Sequence, residues 1–354
     1  MEYKIPTVLE IKERLAKEGP LFNVVSLFAG GGGSSCGYRM AGAKVLAINE
    51  FIPEARNTYH ANWPDTTIFP CDVRDLDAND ILRAINMAPG ELDVLDGSPP
   101  CCGFSSSGKR SKGWGQNRRY SDSAQVGVET LFFEYIRILR ELKPKCFIAE
   151  NVAGLAQGVS RGYLNEFLRA FSASDYICKA KILNAQYLGV PQCRHRLIFV
   201  GVRKDLWRSE FENKTHPKPF SYLIPLKDAF RGIINTSEEL AQVDISKYVI
   251  YQRLIKLKKG KSDSERFNLV KADDNRPSPC ITASNGRLGC ACACHWDNRA
   301  FTLKELKRIT SVPDDYILTG TYSQQVERLG RMVPPLMMKA VAANLYTNIL
   351  KELK

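Results

Sequence analysis

Short apolar runs that alternate with amphipathic stretches constrain the fold of this chain more than any other feature of its sequence. They predict buried strands over Asn23–Phe28, Lys44–Ile48, Leu92–Asp96 and Cys146–Ala149, with a long helix over Val128–Leu142. Strands that alternate with helices form a mostly parallel sheet, because right-handed crossovers return the chain to the same edge. The pattern therefore predicts a doubly wound α/β fold.

Glycine, acidic and cysteine residues follow the ends of these predicted strands. Gly30–Gly33 follows the first strand, Glu50 the second, Gly97–Cys101 the third and Glu150 the fourth. Ligands of open parallel sheets bind at the carboxyl ends of the strands, where successive loops meet. We therefore expect one binding and catalytic site at this edge of the sheet.

The glycine run Gly30–Gly33 has the character of a cofactor loop. Glycines after a strand let the backbone approach a ligand closely, and the following helix offers free N–H groups. Glu50 lies at the distance expected of an acid that binds a ribose. The spacing is not that of a dinucleotide fingerprint, and the loop alone equally allows a tight turn with a surface acid.

Cys101 and Glu150 are the candidate catalytic residues. Pro99 and Pro100 rigidify the chain before Cys101 and Gly103 follows it, which suits an exposed nucleophile better than a buried thiol. A Glu150 carboxyl that is desolvated at a strand end could hold a proton near neutral pH, although a surface acid or a helix cap is the plainer interpretation.

Arg194 and Arg196 have the period-two spacing of residues on one face of a strand. Two guanidinium groups on that face could anchor an anion or the carbonyl of a base. Taken alone, such a pair more often belongs to a solvated face.

The pattern divides the chain into three segments. Residues 1–202 carry the predicted catalytic and cofactor-binding domain. Residues 203–297 hold scattered prolines, lysine runs and weak periodicity, and they predict a smaller domain with short strands. Regular patterning returns in residues 298–354, which we expect to complete the first domain.

Helices are predicted near both ends of the chain. Thr7 and Glu10 have the spacing of a capping box, and Gly19 is a suitable helix stop. Two further helices are predicted near Leu303–Ile309 and Pro334–Leu350, the second of which should pack on the first domain.

The formal net charge of +12 suits a polyanionic partner, because lysine and arginine displace condensed counterions from a phosphate backbone. Many basic proteins nevertheless never touch nucleic acid. No early segment resembles a signal peptide, and no apolar run reaches the roughly 18 residues of a membrane span. Eleven cysteines in such a chain indicate reduced thiols, and we expect a cytoplasmic protein with no membrane partner.

Several thiols crowd into one part of the sequence, together with a histidine: Cys280, Cys290, Cys292, Cys294 and His295. Their spacing lacks the paired Cys-x-x-Cys knuckles of zinc sites. We therefore expect no metal and assign these thiols to the lining of a loop.

In their order along the chain, the motifs resemble those of the DNA (cytosine-5) methyltransferases. The resemblance is carried by Phe28–Gly32, Asn49-Glu50, Cys71-Asp72-Val73, Pro99–Ser105, Glu150–Val152, Gln192–Arg196, Arg299–Tyr316 and Gly330–Pro335. It implies a Rossmann-like domain that uses S-adenosylmethionine, with a target-recognition domain over residues 203–297. It also implies a monomer that acts on double-stranded DNA in a bacterial cytoplasm, or a viral protein in that of a host.

The resemblance assigns a role to each motif. Cys101 would attack C6 of a flipped-out cytosine, Glu150 would protonate N3 and Arg196 would bind O2. Arg194 would help to hold Cys101, Glu150 or a nearby phosphate. The residues that would bind the cofactor are Phe28, Gly30, Gly32, Glu50, Phe51, Asp72, Val73, Ser98, Pro100, Arg331 and Met332. The residues that would bind DNA are Ser105, Lys109, Arg110, Arg118 and Arg119.

Arg331 departs from the family pattern, which has a neutral asparagine near the transferred group, and Cys102 stands where the family has glutamine. A cation beside a sulfonium is unfavourable, so something must offset Arg331. A salt bridge to an acid or a contact to a DNA phosphate would do so. The alternative is a carboxymethyl group, from carboxy-S-adenosylmethionine, that pairs with the guanidinium and gives 5-carboxymethylcytosine. Methyl transfer is the default.

Two other functions remain open from the sequence. An RNA cytosine-5 methyltransferase would share the fold, although Gly103-Phe104-Ser105 stands where the RNA-directed branch has Pro-Phe-Thr. A non-catalytic DNA-binding homologue is the other alternative, and the intact set of Cys101, Glu150, Arg194 and Arg196 argues against it.

Overall fold

The computed structural model describes residues 3–100, 118–119, 124–125, 130–266 and 268–353. Its strands are β1 to β11: Phe22–Leu27, Ala43–Asn49, Thr67–Phe69, Val94–Gly97, Arg118–Arg119, Ala124–Gln125, Cys146–Val152, Tyr176–Asn184, His195–Arg203, Val270–Lys271 and Ala293–Cys294. Its helices are α1 to α12: Val8–Glu18, Gly33–Met40, Pro53–Asn62, Ala78–Ile85, Leu131–Leu142, Arg161–Ala173, Leu226–Ala229, Ser237–Gln242, Val249–Leu254, Leu303–Ile309, Tyr322–Arg331 and Pro335–Asn348.

Seven of the described strands form one large sheet in the order β3-β2-β1-β4-β7-β9-β8, and the pairs β5-β6 and β10-β11 form two small sheets of their own. Neighbouring strands are parallel from β3 to β7, as predicted, whereas β9 runs antiparallel to both of its neighbours. The exception follows from the short connection between β8 and β9, because only a crossover of a dozen or more residues can join parallel neighbours. The predicted mostly parallel, doubly wound α/β fold is confirmed.

Alternate residues of the central strands enter two different cores, one on each face of the sheet. Val24 of β1 packs in one core with Met338 and Val341 of α12. Val25 of β1 packs in the other core with Leu139 of α5. The strands are buried on both faces, which explains their nearly continuous apolar sequences.

The predicted N-terminal helix is confirmed as α1. Thr7 Oγ1 accepts the backbone N–H of Glu10 at 3.0 Å, and the Glu10 carboxylate accepts that of Thr7 at 2.7 Å. Gly19 ends the helix at a φ of 73°, which glycine adopts at little cost. The two predicted C-terminal helices are also present, as α10 and α12.

Residues 203–297 differ from the short strands that the sequence predicted. The described part of this segment contains the short helices α7, α8 and α9, and only the two-residue strands β10 and β11. A small core unites Val243, Ile250 and Leu269 with Ala300 from the following segment. The division into domains at residues 202 and 297 stays a prediction.

Several residues singled out in the sequence lie outside the described residues: Cys101, Cys102, Ser105, Lys109 and Arg110. Arg118 and Arg119 are described by their backbone alone, which pairs antiparallel with β6. Within the described ranges, no helix combines the length and apolar character needed to cross a membrane.

Candidate active site

The glycine loop connects β1 to α2 and turns sharply. Phe28 has a φ of 55°, which is uncommon for a residue with a side chain, and Gly30 and Gly32 also have positive φ. A Cβ placed on Gly31 would lie 2.4 Å from Cε of Met332, so the loop packs directly against that residue. At Gly30 a Cβ would meet no atom within 4 Å, which leaves this part of the loop open to a ligand.

Glu50 fixes the shape of this loop from the end of β2. One carboxylate oxygen accepts the N–H of Gly30 at 2.6 Å, and the other accepts the N–H of Ile52 at 2.7 Å. Burial raises the pKa of Glu50, while these two hydrogen bonds act in the opposite direction. Each oxygen retains a lone pair, so the carboxylate can still accept a hydroxyl of a ligand.

The ends of β2 and β3 place Phe51 and Asp72 at the same edge of the sheet. Asn49 donates its side-chain N–H groups to the carbonyls of Phe69 and Cys71, which ties the two strand ends together. Phe51 is 38% exposed, and an exposed aromatic ring there can stack on a flat ligand. Asp72 caps the turn that begins at buried Val73 and pairs with Arg74 at 2.9 Å.

Asp96 is a buried carboxyl at this edge that the sequence analysis missed. It accepts hydrogen bonds from Ser26 Oγ at 2.6 Å and Tyr38 OH at 3.1 Å, so it joins β4 to β1 and α2. Ser26 is its register partner in the sheet, which only the pairing of β1 with β4 reveals. Beyond it, Ser98 Oγ is buried with no hydrogen-bond partner among the described residues, and Pro100 is half-buried.

Asp96 makes the stability of the fold depend on pH. Burial raises its pKa from 3.8 to about 7, and the charge of Glu150 acts in the same direction. The folded state therefore binds this proton more tightly than the unfolded state, and the resulting stability is lost as pH rises from about 4 to about 7. We therefore expect the free energy of unfolding of Asp96→Asn to rise relative to that of the wild type, by on the order of a few kcal/mol, as pH rises across this window.

Urea unfolding of both proteins at several pH values between 4 and 8 measures this difference. Because asparagine does not titrate, any pH-dependent part of the difference comes from the Asp96 carboxyl. A difference that stays constant across the window would contradict the prediction.

Glu150 and Arg196 form an ion pair where β7 lies against β9. Arg196 Nε is 2.6 Å from Glu150 Oε1, and the two side chains are 16% and 11% exposed. Asn151 donates its side-chain N–H to the carbonyl of Pro99 at 3.4 Å, which links this strand end to the segment before Cys101. Glu150 is buried at the strand end, and its carboxylate lies against the guanidinium of Arg196, so its role as a proton donor stays a prediction.

Arg194 lies just before β9, which begins at His195, and not within that strand as Arg196 does. It is 2% exposed, and its guanidinium donates to the carbonyls of Ile281 and Gly330, both at 3.0 Å. Burial lowers the pKa of Arg194 to about 10, and the neighbouring Arg196 adds to the effect. In the described structure its hydrogen bonds therefore hold the polypeptide around the site rather than Glu150.

Arg331 lies at the end of α11, beside the glycine loop. Its Nη2 is 2.8 Å from Oε1 of Glu327, one helical turn earlier, and the Arg331 side chain is 40% exposed. Met332, the next residue, is buried. The salt bridge to an acid that the sequence analysis considered is therefore present.

The thiol-rich segment does not assemble a metal centre in the part of the chain that the structure describes, where no three metal-binding side chains converge. Cys294 and His295 are buried, whereas Cys290 is exposed. His295 lies 3.8 Å from Glu305, which is itself held by Arg299 at 2.7 Å.

Comparisons with known proteins agree with this geometry. A family model described as C-5 cytosine-specific DNA methylase matches residues 22–347. The type II methyltransferase M1.HphI of Haemophilus parahaemolyticus is 30% identical over 339 residues, which are 90% of this chain and 85% of the relative. M.NgoPII of Neisseria gonorrhoeae is 35% identical over 183 residues, which are 52% of this chain and 48% of the relative.

Solved structures give the same fold. A prophage-encoded protein of E. coli, assigned as a DNA modification methyltransferase, has a TM-score of 0.72 at 24% identity and covers 92% of this chain and 99% of its own. A mutant of Spodoptera frugiperda DNMT2 has a TM-score of 0.68 at 19% identity, with the same coverage. At these identities the likeness concerns the fold alone.

Proposed function

The chain belongs to the C-5 cytosine-specific DNA methylases, and on that premise we propose that it methylates C5 of a flipped-out cytosine through a covalent bond to Cys101. We further propose that it modifies DNA as a type II methyltransferase, the description that its relatives carry. Those relatives are named from bacteria, which supports a bacterial cytoplasm as its place of action.

One observation carries this proposal. The Glu150–Arg196 ion pair lies at the same sheet edge as the Glu50–Gly30 contact, and Asn151 ties it to the segment before Cys101. An acid and a guanidinium side by side can bind the N3 and O2 positions of a cytosine, which are adjacent on one edge of the ring.

The residues at this edge fit S-adenosylmethionine. Gly30 offers open space and Phe51 an exposed ring on which a base can stack. The hydroxyl of Ser98, which has no partner among the described residues, offers a hydrogen-bonding group. Glu50 and Asp72 would accept hydrogen bonds from the ribose and the adenine amine. S-adenosylmethionine would supply an electrophilic methyl group on a sulfonium.

The chemistry that we assign to the chain begins with the thiolate of Cys101. Its sulfur bonds to C6 of cytosine, and the electrons of the C5–C6 double bond move onto the ring, where a proton from Glu150 at N3 and the guanidinium of Arg196 at O2 offset the charge. C5 is then nucleophilic enough to accept the methyl group that S-adenosylmethionine would supply, with the electrons of the broken C–S bond left on the sulfur of the cofactor. A water molecule then takes the C5 proton, the Cys101 thiolate leaves C6 and the N3 proton returns to Glu150, which restores the neutral aromatic ring.

Methyl is the transferred group that we propose. The Arg331–Glu327 pair places an anion against the guanidinium that the sequence analysis found unexplained beside a sulfonium. In the carboxymethyl alternative, Arg331 would bind the carboxylate of the transferred group in addition to that of Glu327. The Arg331–Glu327 pair by itself accounts for the presence of the arginine without such a second carboxylate.

Mass spectrometry of digested nucleic acid tests the proposal and its alternatives together. Unmodified bacterial genomic DNA and a tRNA pool are each incubated with the protein and with S-adenosylmethionine or carboxy-S-adenosylmethionine. We expect 5-methylcytosine in DNA alone. Modification of tRNA alone would favour the RNA alternative, and 5-carboxymethylcytosine that Arg331→Asn no longer produces would favour the carboxymethyl alternative. No product at all would favour the non-catalytic homologue.

A further inference from the structure

Arg328 is a buried arginine whose hydrogen-bonding capacity is partly unused. It lies in the last turn of α11 and is 3% exposed. Its Nε and Nη2 atoms are buried and have no hydrogen-bond partner in the described part of the chain. Guanidinium donors that are removed from water without partners are costly, so the arrangement points to a ligand that supplies acceptors.

The carboxylates near Arg328 do not fully balance the positive charge there, so an additional anion would be favourable. The nearest carboxylate oxygen, Glu327 Oε1, is 3.4 Å from Arg328 Nη2 and is already hydrogen-bonded by Arg331 Nε at 2.8 Å. Glu50 also feels the charge of Arg328, but both of its oxygens are bonded to backbone N–H groups. Two guanidinium groups therefore share one carboxylate oxygen at this place.

The position of Arg328 directs it to the cofactor loop. A Cβ on Gly31 would lie 3.7 Å from the Cβ of Arg328, so this residue backs directly onto the glycine run. The end of α11 is itself fixed, because the buried Arg194 donates to the carbonyl of Gly330. A ligand that occupies the loop would bring its acceptors to a guanidinium on a rigid support.

We infer that Arg328 binds the α-carboxylate of S-adenosylmethionine, an inference that rests on the proposed function. The adenine and ribose of this cofactor are neutral, and its sulfonium and amino groups are cationic. The α-carboxylate is thus its one anionic group, and a guanidinium can bind both carboxylate oxygens at once. Arg328 is a cofactor-binding residue that sequence reasoning missed.

Calorimetric titration with two ligands tests this inference without reference to turnover. S-adenosylmethionine carries the α-carboxylate, and decarboxylated S-adenosylmethionine lacks it but keeps the sulfonium and the amine. Arg328→Gln should weaken binding of the first by about tenfold to a hundredfold and leave binding of the second unchanged. Arg328→Lys, which keeps the charge but loses the two-pronged geometry, should fall between wild type and Arg328→Gln.

Arg276→Gln is the matched control, because Arg276 is 75% exposed and pairs only at the surface with Asp273. Equal weakening of both ligands by Arg328→Gln, or no weakening of either, would overturn the inference, and Arg328→Lys carries the test if Arg328→Gln fails to fold. Wild-type protein that binds neither ligand would instead contradict the proposed function.

Discussion

Replacement of Cys101 by serine is expected to reduce kcat for methyl transfer by at least about 10⁴-fold. C5 of cytosine is too weak a nucleophile to attack a sulfonium until sulfur has added to C6, and a serine hydroxyl is far less readily ionised than a thiol. Single-turnover transfer of labelled methyl to DNA measures the loss. Cofactor affinity, measured by calorimetry, should stay close to that of wild type, because only the nucleophile is removed.

Cys290→Ser provides the matched control, since Cys290 is an exposed thiol outside the proposed site. A duplex that contains 5-fluorocytosine at its target positions should trap wild type and Cys290→Ser as complexes that survive denaturant. The same duplex should fail to trap Cys101→Ser, because no sulfur is available to bond to C6. Undiminished activity in Cys101→Ser would eliminate the covalent mechanism.

Glu150→Gln is expected to lower kcat by about 10² to 10⁴-fold with little change in cofactor affinity. Glutamine has the size of glutamate but cannot deliver a proton to N3, and it also cannot form the ion pair with Arg196 that the structure contains. Single-turnover kinetics at saturating cofactor separates this chemical effect from binding.

Glu212→Gln is the control for this variant, because Glu212 is exposed and forms an ion pair with Lys179 of β8, which is an edge strand of the sheet. It should retain wild-type activity. If Glu150→Gln instead lost cofactor affinity by as much as it lost activity, Glu150 would be a positioning residue. Wild-type activity in Glu150→Gln would remove it from the mechanism altogether.

The sequence by itself determined the fold class, the edge that carries the site and the family. The alternation of apolar and amphipathic stretches is a local property of the sequence, so it predicts strands closely. The predicted strand Asn23–Phe28 corresponds to β1, which spans Phe22–Leu27. The Thr7 cap was predictable for the same reason, since both of its hydrogen bonds span three residues. The order of strands along the chain then placed Glu50 and Glu150 at one edge.

Only the tertiary structure decided which partners the polar residues at that edge have. Arg194 reaches the carbonyl of Gly330, 136 residues away, and Asp96 meets Ser26, 70 residues away. Such contacts depend on which strands and helices become neighbours in the fold. The local periodicity of apolar residues along the sequence does not predict them. The burial of Arg328 likewise depends on how α11 packs on the glycine loop. A residue that the sequence presents as one more surface arginine becomes a buried guanidinium, two of whose nitrogens lack a hydrogen-bond partner among the described residues.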